Sequence, residues 1–114
     1  MLERPFTISV ENVDQCSVVS IGGEVDVATA PDLRERLNES IAEGLPTLVV
    51  DLLGVSFIDS TGLGVLIEAM KHTESKGRTI RLAVSEPRIL KVFTITGLTD
   101  VFDIRATRAE AIAG

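Results

Sequence analysis

Aromatic residues and cysteine are scarce in this sequence. Its 114 residues include no tryptophan, no tyrosine, four phenylalanines and one cysteine, Cys16. The core must therefore be mainly aliphatic, and aromatic platforms for stacking nucleic-acid bases are not expected. A single cysteine cannot close an intramolecular disulfide, and its apolar neighbours favour a small buried core residue over a redox site. We therefore expect a protein of the reducing cytoplasm.

Basic residues are outnumbered by acidic ones. The chain has 11 Lys and Arg against 17 Asp and Glu, which gives a formal net charge of -6 and a pI near 4.7. Such a surface opposes binding to a phosphate backbone, because that binding depends on Lys and Arg releasing counterions. Nucleic acid is not expected as a partner.

Long apolar runs are also missing. No run approaches the roughly 20 residues needed to cross a bilayer, and the N-terminus lacks a basic segment followed by an apolar one. Internal repeats, low-complexity tracts and Gly/Ser/Pro linkers are absent as well. The sequence therefore predicts a cytoplasmic protein without membrane association, folded as one domain over residues 1–114.

Hydrophobic periodicity predicts nine elements in the order β-β-α-β-α-β-α-β-α. The predicted strands cover residues 6–10, 16–21, 48–50, 79–84 and 101–104, with a hairpin turn at 12–15 and a break at Gly22-Gly23. The four predicted helices have Thr29, Ser60, Ser85 and Thr107 as N-caps and end near Gly44, Gly77, Gly97 and Ala113. Their predicted buried side chains are Leu33, Leu37 and Ile41, then Leu63, Leu66, Ile67 and Met70, then Ile89, Leu90 and Phe93.

Strands separated by helices are normally parallel, because the helix returns the chain to the same edge of the sheet. The predicted fold class is therefore α/β, with a mixed sheet of four to five strands and about four helices packed against it. In open sheets of this kind, binding sites gather where loops leave the carboxyl ends of parallel strands. Asp26 and the turn at Ser60 become functional candidates if each follows such an end.

The segment Asp59-Ser60-Thr61-Gly62 joins a predicted buried strand to the second helix. As N-cap, Ser60 would present its hydroxyl where unpaired N–H groups face outward. Gly62 and Gly64 each weaken a helix by about 1 kcal/mol relative to alanine, which suggests that another molecule approaches this turn closely. Ser60 is therefore either a plain helix cap or an exposed phosphoacceptor, and Asp26 is either a loop or capping acid or a contact residue.

Catalytic chemistry finds little support in the sequence. A nucleophilic Ser60 would lack a G-x-S-x-G elbow, and His72, the only histidine, would lie about 18 Å farther along the same helix at about 1.5 Å per residue. The Asp-Ser-Thr-Gly segment has one residue more than the Asp-Thr/Ser-Gly loop of aspartic proteases and leads into a helix. Neither a P-loop nor a His/Cys cluster is present. We therefore expect no enzyme activity, cofactor or metal site.

Two segments of the chain match a known family pattern. Val50-Asp51 is followed by Phe57-Ile58-Asp59-Ser60-Thr61-Gly62-Leu63-Gly64, and Gly23-Glu24-Val25-Asp26 leads into a helix. Together with the predicted element order and the stretch from Gly97-Leu98 to Val101-Phe102, these segments make the chain resemble the anti-sigma factor antagonists, bacterial proteins of the STAS fold. The resemblance covers nearly the whole chain.

The resemblance implies a role in partner switching. In that family, the serine at the position of Ser60 is phosphorylated by an anti-sigma factor that is itself an ATP-dependent serine kinase. The unphosphorylated antagonist binds this factor, so that the sigma factor is released. The resemblance thus implies Ser60 as the phosphorylation site, a phosphoserine phosphatase as a further partner, and a partner-binding surface made of Asp26, Asp59, Ser60, Thr61 and Gly62. The chain would be a substrate rather than an enzyme.

Related domains also occur in stress-signalling assemblies and on anion transporters. The absence of an apolar run long enough to span a membrane argues against the transporters. The alternative hypothesis is a stand-alone STAS module that binds a nucleotide or joins a larger signalling assembly without regulating a sigma factor.

Overall fold

Five strands and four α-helices make up residues 6–114, the part of the chain that the computed structural model describes. The strands are β1 (Thr7–Val13), β2 (Cys16–Val25), β3 (Thr47–Ile58), β4 (Thr79–Ala83) and β5 (Asp103–Arg105). The helices are α1 (Ala30–Glu43), α2 (Ser60–Ser75), α3 (Pro87–Ile95) and α4 (Arg108–Ala113), with a short 3-10 helix at Leu98–Asp100. The predicted order of strands and helices is confirmed.

The five strands form one mixed sheet in the order β1-β2-β3-β4-β5. β1 and β2 pair antiparallel, as the predicted hairpin. β2, β3, β4 and β5 pair in parallel, because a helix returns the chain between each of them and the next. The predicted α/β fold with a mixed sheet is confirmed.

Most of the core lies between one face of the sheet and helices α1, α2 and α3. All but two of the side chains predicted to face inward are buried there, at Leu33, Leu37, Ile41, Leu63, Leu66, Met70, Ile89 and Phe93. α4 covers part of the opposite face, where Ala111 packs with Cys16, Val18, Val49 and Ala83. Cys16 is a buried core residue, as predicted.

β2 and β3 both run farther than predicted. Gly22-Gly23 does not interrupt β2, and β3 continues well beyond residue 50. β4 accompanies β3 only as far as the pair Asp51–Ala83, so residues 52–58 of β3 pair with β2 alone. This end of the sheet, residues 22–25 with residues 52–58, is termed the terminal ribbon below, and beyond the pair Thr7–Gly22 only β2 and β3 form it.

Two β-bulges explain why the ribbon escaped prediction. Pairing advances by one residue more in β3 than in β2 between Ser20 and Gly22, and again between Gly23 and Glu24. Each extra residue reverses the side-chain alternation of a strand. The buried positions of this segment therefore recur every three residues, at Leu52, Val55 and Ile58. That spacing is close to a helical period, so alternation could not identify the strand.

The last third of the chain departs from prediction only in detail. α3 has Glu86 rather than Ser85 as its N-cap, and its Leu90 is exposed rather than buried. β5 covers residues 103–105 instead of 101–104. Thr107 caps α4 as predicted, since its side chain accepts a hydrogen bond from a backbone N–H of the helix.

Candidate functional site

The end of the terminal ribbon brings the two predicted segments together. Val25 and Ile58 are its last residue pair, and the backbone N–H of Asp59 donates to the carbonyl of Val25 at 3.2 Å. Asp26 and Asp59 therefore leave neighbouring parallel strands side by side. Both segments thus follow the carboxyl ends of parallel strands, which is the position that would make Asp26 and the Ser60 turn functional candidates.

Asp59, not Ser60, is the N-cap of α2. Its Oδ1 accepts a hydrogen bond from the N–H of Gly62 at 3.0 Å, and its carbonyl accepts one from the N–H of Leu63 at 3.0 Å. Ser60 is the first residue of the helix and is exposed. Its hydroxyl makes no hydrogen bond within residues 6–114. The prediction that Ser60 caps the helix is wrong, and the correction leaves its hydroxyl free to react.

Asp26 caps the start of α1. Its Oδ1 accepts from the N–H groups of Ala28 at 2.9 Å and Thr29 at 3.2 Å, and its carbonyl accepts from the N–H of Ala30 at 2.8 Å. Thr29, the predicted cap, holds the N-cap position, but its hydroxyl donates to the carbonyl of Glu24 at 3.0 Å. One oxygen of Asp26 thus serves as a capping acid, while Oδ2 has no hydrogen bond to the described part of the chain.

The two glycines at the start of α2 have different surroundings. A Cβ on Gly62 would lie 2.6 Å from Cγ1 of Val25 and 2.9 Å from Cγ1 of Ile58, closer than such atoms can approach. Gly62 is buried because α2 packs onto the ribbon there, so the prediction that its bareness serves another molecule is wrong. A Cβ on Gly64 would meet nothing within 4 Å. Gly64 lies one helical turn after Ser60 and therefore on the same face of α2. The helix surface next to Ser60 is thus left open at Gly64.

Acidic groups dominate the chain around these turns. Residues 22–33 and 52–67 contain four carboxylates, at Glu24, Asp26, Asp32 and Asp59, but no Lys or Arg. The first basic residue beyond them on α1, Arg34, is already bonded to Glu68 of α2 at 3.2 Å. A partner with a basic surface would therefore meet an acidic patch.

Two exposed apolar side chains flank the acids, and sequence reasoning missed both. Val27, next to Asp26, is 72% exposed, and Phe57, two residues before Asp59, is 47% exposed. Single apolar residues are common on protein surfaces, but these two lie on the segments that meet at the end of the ribbon. A β-branched residue inside a polar loop was a usable signal for Val27. For Phe57, the bulged pairing concealed which side of the strand it occupies.

The rest of the described surface offers little for catalysis or ligand binding. His72 is exposed on the last turns of α2, far from Ser60 along the helix. Within residues 6–114, no group of three or more His, Cys, Asp or Glu side chains could hold a metal ion, and no helix is long and apolar enough to cross a bilayer. Two clefts, of about 540 and 260 Å³, lie along α1 and include no residue of the Ser60 turn.

Comparison with known sequences gives a consistent result. Residues 7–111 match the family model of the STAS domain. Over 101 residues, the chain is 43% identical to the anti-sigma-B factor antagonist of Bacillus subtilis (strain 168). This alignment covers 89% of this chain and 92% of the Bacillus subtilis protein.

Solved structures agree with the sequence comparison. The crystal structure of an anti-sigma factor antagonist from Mycobacterium paratuberculosis has a TM-score of 0.90 at 31% identity and covers 96% of this chain and 92% of that chain. The Bacillus cell fate determinant SpoIIAA, 28% identical, is similar in its phosphorylated form, with a TM-score of 0.72 over 94% of this chain and 97% of that chain. Its unphosphorylated form gives a TM-score of 0.78 over 93% of each chain. The same fold is thus matched with and without phosphate.

Proposed function

The chain belongs to the STAS domain family and, within it, to the anti-sigma factor antagonists, and we propose that its unphosphorylated form binds an anti-sigma factor and thereby releases a sigma factor. In this proposal the anti-sigma factor is a serine kinase that uses ATP to phosphorylate Ser60, and phosphorylation ends the binding. The observation that carries the proposal is the exposed, unbonded hydroxyl of Ser60 at the end of the terminal ribbon.

The docking surface that we propose consists of Asp26, Val27, Phe57, Ser60, Thr61 and Gly64. Asp26, whose Oδ2 is not hydrogen-bonded within the described residues, complements a basic patch on the anti-sigma factor and guides the encounter of the two proteins. The apolar side chains of this surface contribute by burial, which is worth about 1.5–3 kcal/mol for a fully covered large side chain. Asp59 acts beside this surface as the cap of α2, and Gly62 acts inside the fold.

Ser60 supplies only the attacking oxygen in the proposed reaction. Its Oγ forms a bond to the γ-phosphorus of ATP held by the kinase, the bond to ADP breaks, and the hydroxyl proton passes to a base of the kinase. The neighbouring carboxylate of Asp59 is engaged at Oδ1 by the N–H of Gly62, which favours a base supplied by the partner. The chain is then a substrate and not an enzyme.

Phosphate on Ser60 is expected to act at the surface rather than on the fold. It adds about -1.5 to -2 charge, which a helix N-terminus accommodates with a gain of about 0.3–1 kcal/mol. Asp59 next to it repels the phosphate by a comparable amount, so the two effects nearly cancel in the free protein. At a close-fitting interface, the dianion must be desolvated and can meet acidic groups of the partner, which costs several kcal/mol.

A phosphoserine phosphatase completes the proposed cycle by returning Ser60 to its free form. An exposed first residue of a helix is accessible to both enzymes. The cytoplasm is the proposed location, because a sigma factor and its regulators act there, and nucleic acid and membrane are not proposed as direct partners of this acidic chain.

Phosphate mapping tests this function. The purified protein is mixed with ATP and each anti-sigma kinase of its source organism in turn, and the product is digested and examined by mass spectrometry. We expect phosphate on Ser60, none in the Ser60→Ala variant, and full labelling in Ser75→Ala, the matched control, since Ser75 is an exposed serine at the opposite end of α2. Labelling of Ser60→Ala at Thr61, together with normal partner switching, would contradict the assignment.

A nucleotide titration without any kinase addresses the alternative. ATP, ADP and GTP are added to the purified chain and followed by calorimetry, and we expect no heat of binding. Saturable binding of a nucleotide, with no phosphorylation by any kinase, would favour a stand-alone ligand-binding module.

A further inference from the structure

Asp51 lies where the terminal ribbon leaves the sheet. It is the last residue of β3 that pairs with β4, and it is also the partner of Ser20 on β2 before the first bulge. The side chain of Asp51 is only partly exposed. Its position couples the five-stranded part of the sheet to the terminal ribbon.

Both carboxylate oxygens of Asp51 are used at this junction. Oδ1 accepts a hydrogen bond from the N–H of Leu53 at 2.9 Å, and Oδ2 accepts one from the hydroxyl of Ser20 at 3.0 Å. Leu53 falls in the first bulge, where an extra residue is left out of the strand ladder and its N–H needs another acceptor. Asp51 provides that acceptor, while Ser20 holds its carboxylate in place.

The bulge at Asp51 determines where Ser60 lies. Because of the two extra residues in β3, Val25 pairs with Ile58, and Gly62 fits against both side chains. A slip of one residue would shift β3 by about 3.3 Å and turn its side chains to the other face. Ser60 would then no longer lie beside the loop of Asp26.

We propose that Asp51 is a positioning residue for Ser60: by fixing the first bulge, it holds the Ser60 hydroxyl and the Asp26 loop in the relative geometry that the kinase recognises. The proposal rests on the proposed function of Ser60. Asp51 acts through the backbone and not by touching the partner, since both of its oxygens are already bonded within the chain.

The kinetic test compares three variants in the kinase reaction. Asp51→Asn keeps an acceptor for the N–H of Leu53 and can donate its amide to Ser20, whereas Asp51→Ala keeps neither bond. Asp103→Ala is the matched control, because Asp103 is another carboxylate on the sheet, bonded to Arg105 and remote from the ribbon. We expect kcat/KM for phosphorylation to fall at least tenfold in Asp51→Ala, to stay within about threefold in Asp51→Asn, and to be unchanged in Asp103→Ala.

A structural readout tests the positioning without any kinase. Amide hydrogen exchange of Leu53 should be at least tenfold faster in Asp51→Ala than in the wild type, and the amide resonances of residues 59–64 should shift. Asp51→Asn and Asp103→Ala should show neither change. Should Asp51→Ala fail to fold, Ser20→Ala replaces it, with a smaller loss of kcat/KM expected because one of the two bonds remains.

The possible outcomes separate this inference from the proposed function. If no kinase phosphorylates the wild type, the proposed function fails. The amide hydrogen exchange of Leu53 and the amide resonances of residues 59–64 would still decide whether Asp51 positions the Ser60 turn. Wild-type kinetics and exchange in folded Asp51→Ala would overturn the inference. Equal losses in Asp51→Asn and Asp51→Ala would also overturn it, because they would show that the charge itself is recognised.

Discussion

Gly62 and Gly64 offer a paired test of how α2 is seated on the sheet. The same change, glycine to alanine, adds one methyl group two residues apart on one helix. At Gly62 the new Cβ would lie 2.6 Å from Cγ1 of Val25, 2.9 Å from Cγ1 of Ile58 and 3.3 Å from the carbonyl oxygen of Val25. At Gly64 it would meet nothing within 4 Å. The two substitutions should therefore change stability in opposite directions.

The magnitudes follow from two competing effects. Alanine is favoured over glycine inside a helix by up to about 1 kcal/mol, so Gly64→Ala should stabilise the protein by about 0.5–1 kcal/mol. Overpacking a filled site costs about 1–3 kcal/mol, and here one of the close atoms belongs to the backbone, which cannot rotate away. Gly62→Ala should therefore lose about 1–2 kcal/mol after the gain in helix propensity. The two variants should differ by about 1.5–3 kcal/mol.

Urea denaturation followed by circular dichroism measures this difference, and thermal melting checks it at about 4 °C per kcal/mol for a domain of this size. Both variants should unfold with the wild-type m-value. If Gly62→Ala proved as stable as Gly64→Ala, α2 would not be seated against Val25 and Ile58 as described. The explanation of Gly62 as an internal packing residue would then be wrong.

Three further predictions concern single side chains. Asp26→Asn should keep the cap of α1 but lower affinity for the anti-sigma factor and reduce its salt dependence, whereas Asp26→Ala should also lose about 1 kcal/mol of stability; calorimetry at several salt concentrations and thermal melts check this. Ser17→Ala should raise the free energy of unfolding by about 1 kcal/mol, because the buried Ser17 hydroxyl has no hydrogen-bond partner in the described part of the chain. The urea midpoint should rise accordingly, and a lower midpoint would contradict this. The hydrogen bond from Arg105 holds the pKa of Asp103 below its ordinary value of 3.8, so the stability that Asp103 contributes is present above that pH and lost as pH falls through its folded pKa. Urea titrations at decreasing pH should therefore show the stability difference between wild type and Asp103→Asn shrinking below about pH 4, and a constant difference would refute the ion pair.

Local sequence signals predicted most of the fold because each acts over a few residues. The glycine at the end of α1 adopts the left-handed conformation that favours glycine, with φ of 90° at Gly44. Alternation in β1 and helical spacing in α1 and α2 likewise reflect one inward-facing side per element. These elements could therefore be predicted without knowing which distant residues they contact.

The features that escaped prediction depend on neighbours remote in sequence. Asp59 and Ser60 are both good N-cap residues, so local preference could not choose between them. The reason for Gly62 is the side chain of Val25, which belongs to another strand. The full length of β3 was hidden because its bulges depend on how β2 pairs with it. Asp26, Ser60 and Thr61 are predictions made from the sequence, Thr61 through the family resemblance alone, whereas the exposed side chains of Val27 and Phe57 became apparent only in the structure.

In the proposed switch, phosphate on Ser60 blocks a docking surface without changing the fold. The most direct measurement is the affinity of the anti-sigma factor for purified phosphorylated and unphosphorylated protein, with circular dichroism and melting temperature recorded for the same samples. We predict at least a tenfold loss of affinity, about 1.4 kcal/mol, with nearly identical spectra and melting temperatures. Unchanged affinity would contradict the switch itself, and a phosphoprotein that lost helix content or melted more than about 10 °C lower would show that phosphate unfolds the protein instead.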